Sequence, residues 1–131
     1  MANKVKGFLV DVKNSVVKRI EFDDELETIY GLLDVDYIDV ATRRIGDHIY
    51  DIICDDEGLL KGNAIPSALD SDGNPQLVGN LLIVKASDDE NFASLSDEDF
   101  ENLENHVGQI TLTDSGLKVN VMCGVEYGFG Y

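Results

Sequence analysis

The chain has 131 residues, 44% of them apolar, with two prolines and two cysteines; this suits one globular domain that folds without disulfide or metal staples. Acidic side chains number 26 against 10 basic ones, for a net charge of −16. That balance argues against direct nucleic-acid binding and disfavours anionic membranes, because gripping a polyanion requires a cationic patch that releases its counterions.

In chain order, Phe8, Val10 and Val12 alternate with Gly7, Leu9 and Asp11, and a Lys13-Asn14-Ser15 turn leads into a second alternating run from Val16 to Phe22. This predicts a β-hairpin. The period then changes: Leu26, Ile29, Tyr30 and Leu33 fall on one face of a short helix, with Asp23 or Asp24 as its expected N-cap. Two strands follow, Tyr37–Arg44 and His48–Cys54, joined at Gly46-Asp47. Asp55 to Pro75, punctuated by Gly58, Gly62, Pro66 and Gly73, reads as a long loop with at most one helical turn. The apolar run Leu77–Lys85 predicts a central strand buried on both faces.

The second helix has the best local signature. Ser96 is its expected N-cap, Asp99 completes a capping box, and Leu95 and Phe100 take the two positions of a hydrophobic staple. Phe100, Leu103 and Val107 form the expected buried stripe, and Gly108 is the expected stop. Strands Ile110–Thr113 and Leu117–Cys123 around Asp114-Ser115-Gly116 then predict a C-terminal β-hairpin, ahead of the Gly/aromatic tail Gly124–Tyr131. The order of elements gives a single α+β domain with a mixed or antiparallel sheet and two short helices. Residues 1–108 are its expected core, with 109–131 packed on the same domain. Met1 to Gly7 lacks the apolar stretch of a signal peptide, and no later run approaches membrane-spanning length. A cytoplasmic location is the expectation.

Charge is unevenly spread: residues 1–22 are net positive, whereas residues 88–108 hold eight acids and no Lys or Arg. Asp88, Asp89, Glu90, Asp97, Glu98, Glu101 and Glu104 form the candidate partner-binding face. Carboxylates three and four residues apart on a helix lie about 5–6 Å apart, close enough to imitate the phosphates of one nucleic-acid strand. The plainer meaning of such a run is a solvated face that keeps a small protein soluble.

Catalytic and metal signatures are missing. Starting from Asp70, an EF-hand alignment puts glycine at the fourth position and Leu81 at the twelfth, so the calcium-loop test fails. His48, Cys54, His106 and Cys123 lack the short paired spacing of zinc ligands, and the two cysteines read as buried free thiols. Glu57-Gly58-Leu59-Leu60-Lys61 has the wrong spacing for a metal-dependent nuclease. No Gly-rich phosphate loop precedes a helix. The expectation is a protein without catalytic residues, metal or cofactor.

From Lys6 to Val107 the chain resembles a family of small uncharacterised proteins of phages, prophages and other mobile elements, classed as a domain of unknown function. The resemblance rests on the opening hairpin, the helix at Leu26–Leu33 and Asp55-Asp56-Glu57-Gly58-Leu59-Leu60-Lys61. Ile65-Pro66-Ser67-Ala68, Val78-Gly79-Asn80-Leu81-Leu82-Ile83-Val84 and Phe92–Asp99 carry the rest. It implies an accessory role in the cytoplasm of a host cell. The leading expectation is an inhibitor of a basic, nucleic-acid-binding host defence protein, of anti-CRISPR or anti-restriction type, acting through the carboxylate face. The alternatives are a small-molecule or nucleotide binder and a structural protein. The binder would use a candidate ligand loop containing Asp55, Asp56, Glu57, Asn63, Ser67 and Asn80. The Gly/aromatic tail is a candidate for self-association as a homodimer.

Overall fold

The computed structural model describes residues 4–56, 65–70, 75–87, 92–113 and 116–123. Strands β1 (Lys4–Asp11) and β2 (Val16–Asp23) pair antiparallel from Lys4↔Asp23 to Asp11↔Val16. The Asp11 carboxylate sets the turn, accepting hydrogen bonds from the backbone and side-chain N–H groups of Asn14 at 3.2 and 2.8 Å.

Helix α1 (Leu26–Leu33) buries Ile29 and Leu33, whereas Leu26 is exposed. The expected caps are not used. Glu25 holds the N-cap position without a side-chain hydrogen bond. Asp23 instead pairs with Lys4 at 2.7 Å, and Asp24 accepts the backbone N–H of Phe92 at 3.2 Å. Longer-range partners have claimed both carboxylates.

Strands β3 (Ile38–Ile45) and β4 (His48–Asp55) form the second hairpin. Its Gly46 has φ +62°, and a Cβ there would collide with the Asn102 side chain and come within 2.9 Å of the His106 ring. Both the turn and the close approach of the second helix therefore require glycine.

The stretch expected to be one loop contains a strand, β5 (Pro66–Leu69), and Pro75 begins another, β6 (Pro75–Val78). The apolar run expected as one strand is divided. Its first residues belong to β6, the chain breaks at Gly79 (φ +77°), and β7 (Leu81–Lys85) joins a different sheet. Within β7 all four residues from Leu81 to Val84 are buried, so the two-faced central strand is real.

Helix α2 (Asp97–Glu104) is capped by Ser96. It ends four residues before the expected stop, because Asn105 closes it and Gly108 lies inside the next strand, β8 (Val107–Thr113). That strand pairs antiparallel with β9 (Gly116–Met122). Residues 124–131, including the candidate self-association tail, lie outside the described residues.

Two sheets result where one was expected. The first is antiparallel, in the order β2-β1-β7-β4-β3; the second, β6-β5-β9-β8, is mixed because β5 and β9 run parallel. Strand alternation divides the core accordingly. Phe8, Val10, Tyr50, Ile52, Leu81 and Ile83 face the second sheet and α2, meeting Val119, Val121, Phe100 and Leu103. Val5, Leu9, Ile53, Leu82 and Val84 face the other way and pack under Ile29 and Leu33 of α1. The domain is mostly β-sheet, of α+β type, with α1 on one face of the first sheet and the second sheet and α2 on the other. No helix among the described residues is long and apolar enough to cross a membrane.

Candidate binding face on helix α2 and a cleft beside strand β3

Local sequence fixes the start of α2. The Ser96 hydroxyl accepts the Asp99 backbone N–H at 3.2 Å, and the Asp99 carboxylate accepts the Ser96 backbone N–H at 2.9 Å. This reciprocal pair satisfies two of the helix's free donors. Leu95 and Phe100, the staple pair, both enter the main core. The preceding segment is pinned along β1, where Lys6 donates to the Ser94 hydroxyl and its carbonyl accepts the Leu95 N–H, each at 2.9 Å.

Asp99 is also the hub of a buried polar network. Only 2% exposed, it accepts hydrogen bonds from the Tyr50 hydroxyl at 3.1 Å and the Lys85 ammonium at 3.0 Å. The Lys85 ammonium lies 5.8 Å from the centre of the Tyr50 ring. Asn102 donates to the Tyr50 oxygen at 3.0 Å and to the Ile45 carbonyl at 2.8 Å. Burial alone would raise the Asp99 carboxyl, but hydrogen bonds from the Ser96 backbone, Lys85, the Ser96 hydroxyl and Tyr50 outweigh it and hold the group below its ordinary value. Burial is the main cause that pushes the Tyr50 hydroxyl up to about 12. This acid of the run is structural: it holds α2 to β4 and β7.

Asp97, Glu98, Glu101 and Glu104 all point outward and are exposed, so the helix brings together four of the seven predicted face residues. Asp88, Asp89 and Glu90 lie outside the described residues. The face is less uniform than the sequence implied. Arg19 of β2 reaches across to make a two-pronged bond with Glu104, at 2.9 and 2.6 Å, while its guanidinium lies 5.0 Å from the centre of the Phe100 ring. The Arg19 hydrogen bond holds the Glu104 carboxyl below its usual range. His48 Nε2 lies 3.8 Å from the Glu98 carboxylate. Asp97 and Glu101 have no ion pair among the described residues.

The described members of the candidate ligand loop, Asp55, Asp56, Ser67 and Asn80, sit on separate stretches of the chain. Ser67 is buried in β5 with its hydroxyl 3.4 Å from the Leu77 carbonyl. Asn80 is buried and accepts the Val12 N–H at 3.0 Å, which ties the first hairpin turn to β7. Asp55 ends β4 opposite Ile38, and Asp56 is exposed, donating its backbone N–H to Tyr37 at 3.2 Å. Glu57 and Asn63 lie outside the described residues.

A cleft of about 340 Å³ opens elsewhere, between β3 residues 39–43, Cys54 of β4 and Leu77 of β6. Periodicity could not reveal it, because its walls come from strands of two different sheets. Cys54 and Cys123 are buried free thiols, both pushed up to about 11 chiefly by burial. Among the described residues no group of three or more His, Cys, Asp or Glu side chains is arranged to hold a metal ion.

Neither the curated proteins nor the solved structures offered a match to this chain. The family comparison did: residues 5–108, from the second residue of β1 to the second of β8, match the domain of unknown function DUF3846, and the chain belongs to that family.

Proposed function

We propose that the protein is a non-enzymatic binding protein whose α2 face docks on a cationic surface of a partner protein. One observation carries the reading. Asp97, Glu98 and Glu101 project from a helix whose start and inner face are held by the capping box and the Asp99 network. Carboxylates on a fixed element meet a complementary charge pattern with little ordering cost, whereas the same charges on a loose segment would have to be ordered on binding. Solubility requires acids somewhere on the surface but does not require them on a braced helix.

The concrete form is inhibition of a host protein that itself grips nucleic acid, of anti-CRISPR or anti-restriction type, with the carboxylate row taking the place of phosphates. Its context is the resemblance to proteins of phages and other mobile elements, with the host cytoplasm as the site of action.

The test is capture of partners from host lysate, at low salt and again at about 0.5 M, where screening acts within a few ångströms. A nucleic-acid-binding protein held at low salt, released at high salt and displaced by duplex DNA is the expected result. Retention of the same partner by an Asp97→Asn, Glu98→Gln, Glu101→Gln variant would overturn the reading.

A further inference from the structure

The cleft beside β3 places one carboxylate and one guanidinium on the wall of a strongly acidic chain. Pairing of Asp39 with Cys54, Ala41 with Ile52 and Arg43 with Tyr50 places these three β3 residues on the face of the sheet that carries the main core. An edge strand normally continues that face with apolar side chains; here it presents Asp39 and Arg43, four residues and roughly 13 Å of strand apart.

Arg43 is the unusual member. Of the bases, Lys4, Lys13, Arg19 and Lys85 each hold a carboxylate, whereas Lys6, Lys18, Arg44 and Lys118, like Arg43, hold none among the described residues. What sets Arg43 apart is its Nε. The residue is half-buried. Among the described residues its Nη1 donates only to the neighbouring Thr42 carbonyl, at 3.1 Å. Its Nε is the one buried side-chain nitrogen or oxygen among the described residues without a hydrogen-bond partner. Leaving a buried donor unsatisfied, more so on a charged group, costs stability. An inward charge on an edge strand also discourages edge-to-edge pairing, but any cation would do that, and it does not require a guanidinium with an unpartnered Nε.

The cleft volume falls within the range of about 300–1,000 Å³ typical of small-molecule sites. A guanidinium offers Nε–H and Nη–H as a planar fork that matches the two oxygens of a carboxylate or phosphate. Asp39, at the other end, is an acceptor for a hydroxyl or amine of the same molecule. We infer that the cleft between β3 and β6 binds a small molecule bearing an oxyanion, with the Arg43 guanidinium turning its buried Nε–H, together with Nη–H, onto the oxyanion and Asp39 setting the molecule's orientation. This site is separate from the α2 face and takes the opposite charge.

The experiment is an NMR titration of the full chain that follows the Arg43 Nε–H resonance. The probes are inorganic phosphate, adenosine monophosphate and citrate, which separate a phosphate from a carboxylate preference, with sodium chloride at matched ionic strength as control. A saturable shift with at least one probe, half-complete below about 1 mM and missing with chloride, is the expected result. Arg43→Lys keeps the charge but loses the fork, and is expected to weaken binding at least tenfold while leaving the remaining backbone spectrum in place. Asp39→Asn is expected to change the ranking of the probes more than the affinity for bare phosphate. Linear, unsaturated shifts with all three probes would overturn the inference, as would equal affinity in the Arg43→Lys protein.

Discussion

The two helices are the same length, eight residues each, yet they are held by different physics. Helix α1 lies on one face of the first sheet through Ile29 and Leu33, and its N-cap Glu25 makes no side-chain bond. Helix α2 adds to its apolar contacts a capping box and the buried Asp99–Tyr50–Lys85–Asn102 network. The contrast shows two ways of attaching a short helix that could not stand alone in water. Apolar burial is the main anchor of α1, with an exposed Lys13–Asp34 pair at its C-terminal end; α2 is also fixed by a buried polar network in the orientation of its outward side chains. A row of carboxylates is therefore better placed for recognition on α2 than on α1.

The largest effect that would break this contrast comes from its hub. Asp99→Ala removes the capping box, leaves the buried Tyr50 hydroxyl without its acceptor and takes away the partner of the half-exposed Lys85 ammonium, for an expected loss of about 3–5 kcal/mol in urea unfolding. Leu103→Ala in α2 and Ile29→Ala in α1 delete fully buried side chains, and each is expected to cost about 2–5 kcal/mol. That equality would show that apolar burial serves the two helices alike. The caps should then separate them, with Ser96→Ala expected to cost about 1 kcal/mol and Glu25→Ala to stay within about 0.5 kcal/mol.

Acid provides a finer test. The Asp99 carboxyl is depressed in the folded protein, so its contribution is fully present above the unfolded carboxylate value of about 3.9. It is lost as pH falls through the lower, folded value. The stability difference between the wild-type chain and Asp99→Asn is expected to be constant from neutral pH down to about 5 and to shrink below about 4. A difference independent of pH across that range would remove the charged Asp99 from the account.

What could be read from the sequence follows the range of the interactions. The capping box and the staple span only six residues, Leu95–Phe100, so α2's start was legible. So were the Gly46 turn and the buried β7. The caps of α1 were not, because Asp23 and Asp24 answer to Lys4 and Phe92 rather than to the nearby helix. The run from Leu77 to Lys85 hid its break because both halves are apolar, and which sheet each joins depends on distant partners. The parallel pairing of Ala68 with Val121 has no local signature at all. On the candidate face, helical spacing gave Asp97, Glu98, Glu101 and Glu104, but not the reach of Arg19 to Glu104. Arg43 was invisible as a site residue, since a lone arginine in an edge strand gains meaning only from the cleft around it.

On the proposed function, the inner acid of α2 holds the helix while the outer acids act on a partner, a division of labour open to one experiment. It is tested most directly by pairing urea unfolding with low-salt partner capture on one variant, Asp97→Asn, Glu98→Gln, Glu101→Gln. Stability within about 1 kcal/mol of the wild-type chain is expected, since these are exposed positions, together with loss of the captured partner. Unchanged stability with the partner still captured would contradict it and leave the carboxylate row as a solubilising surface.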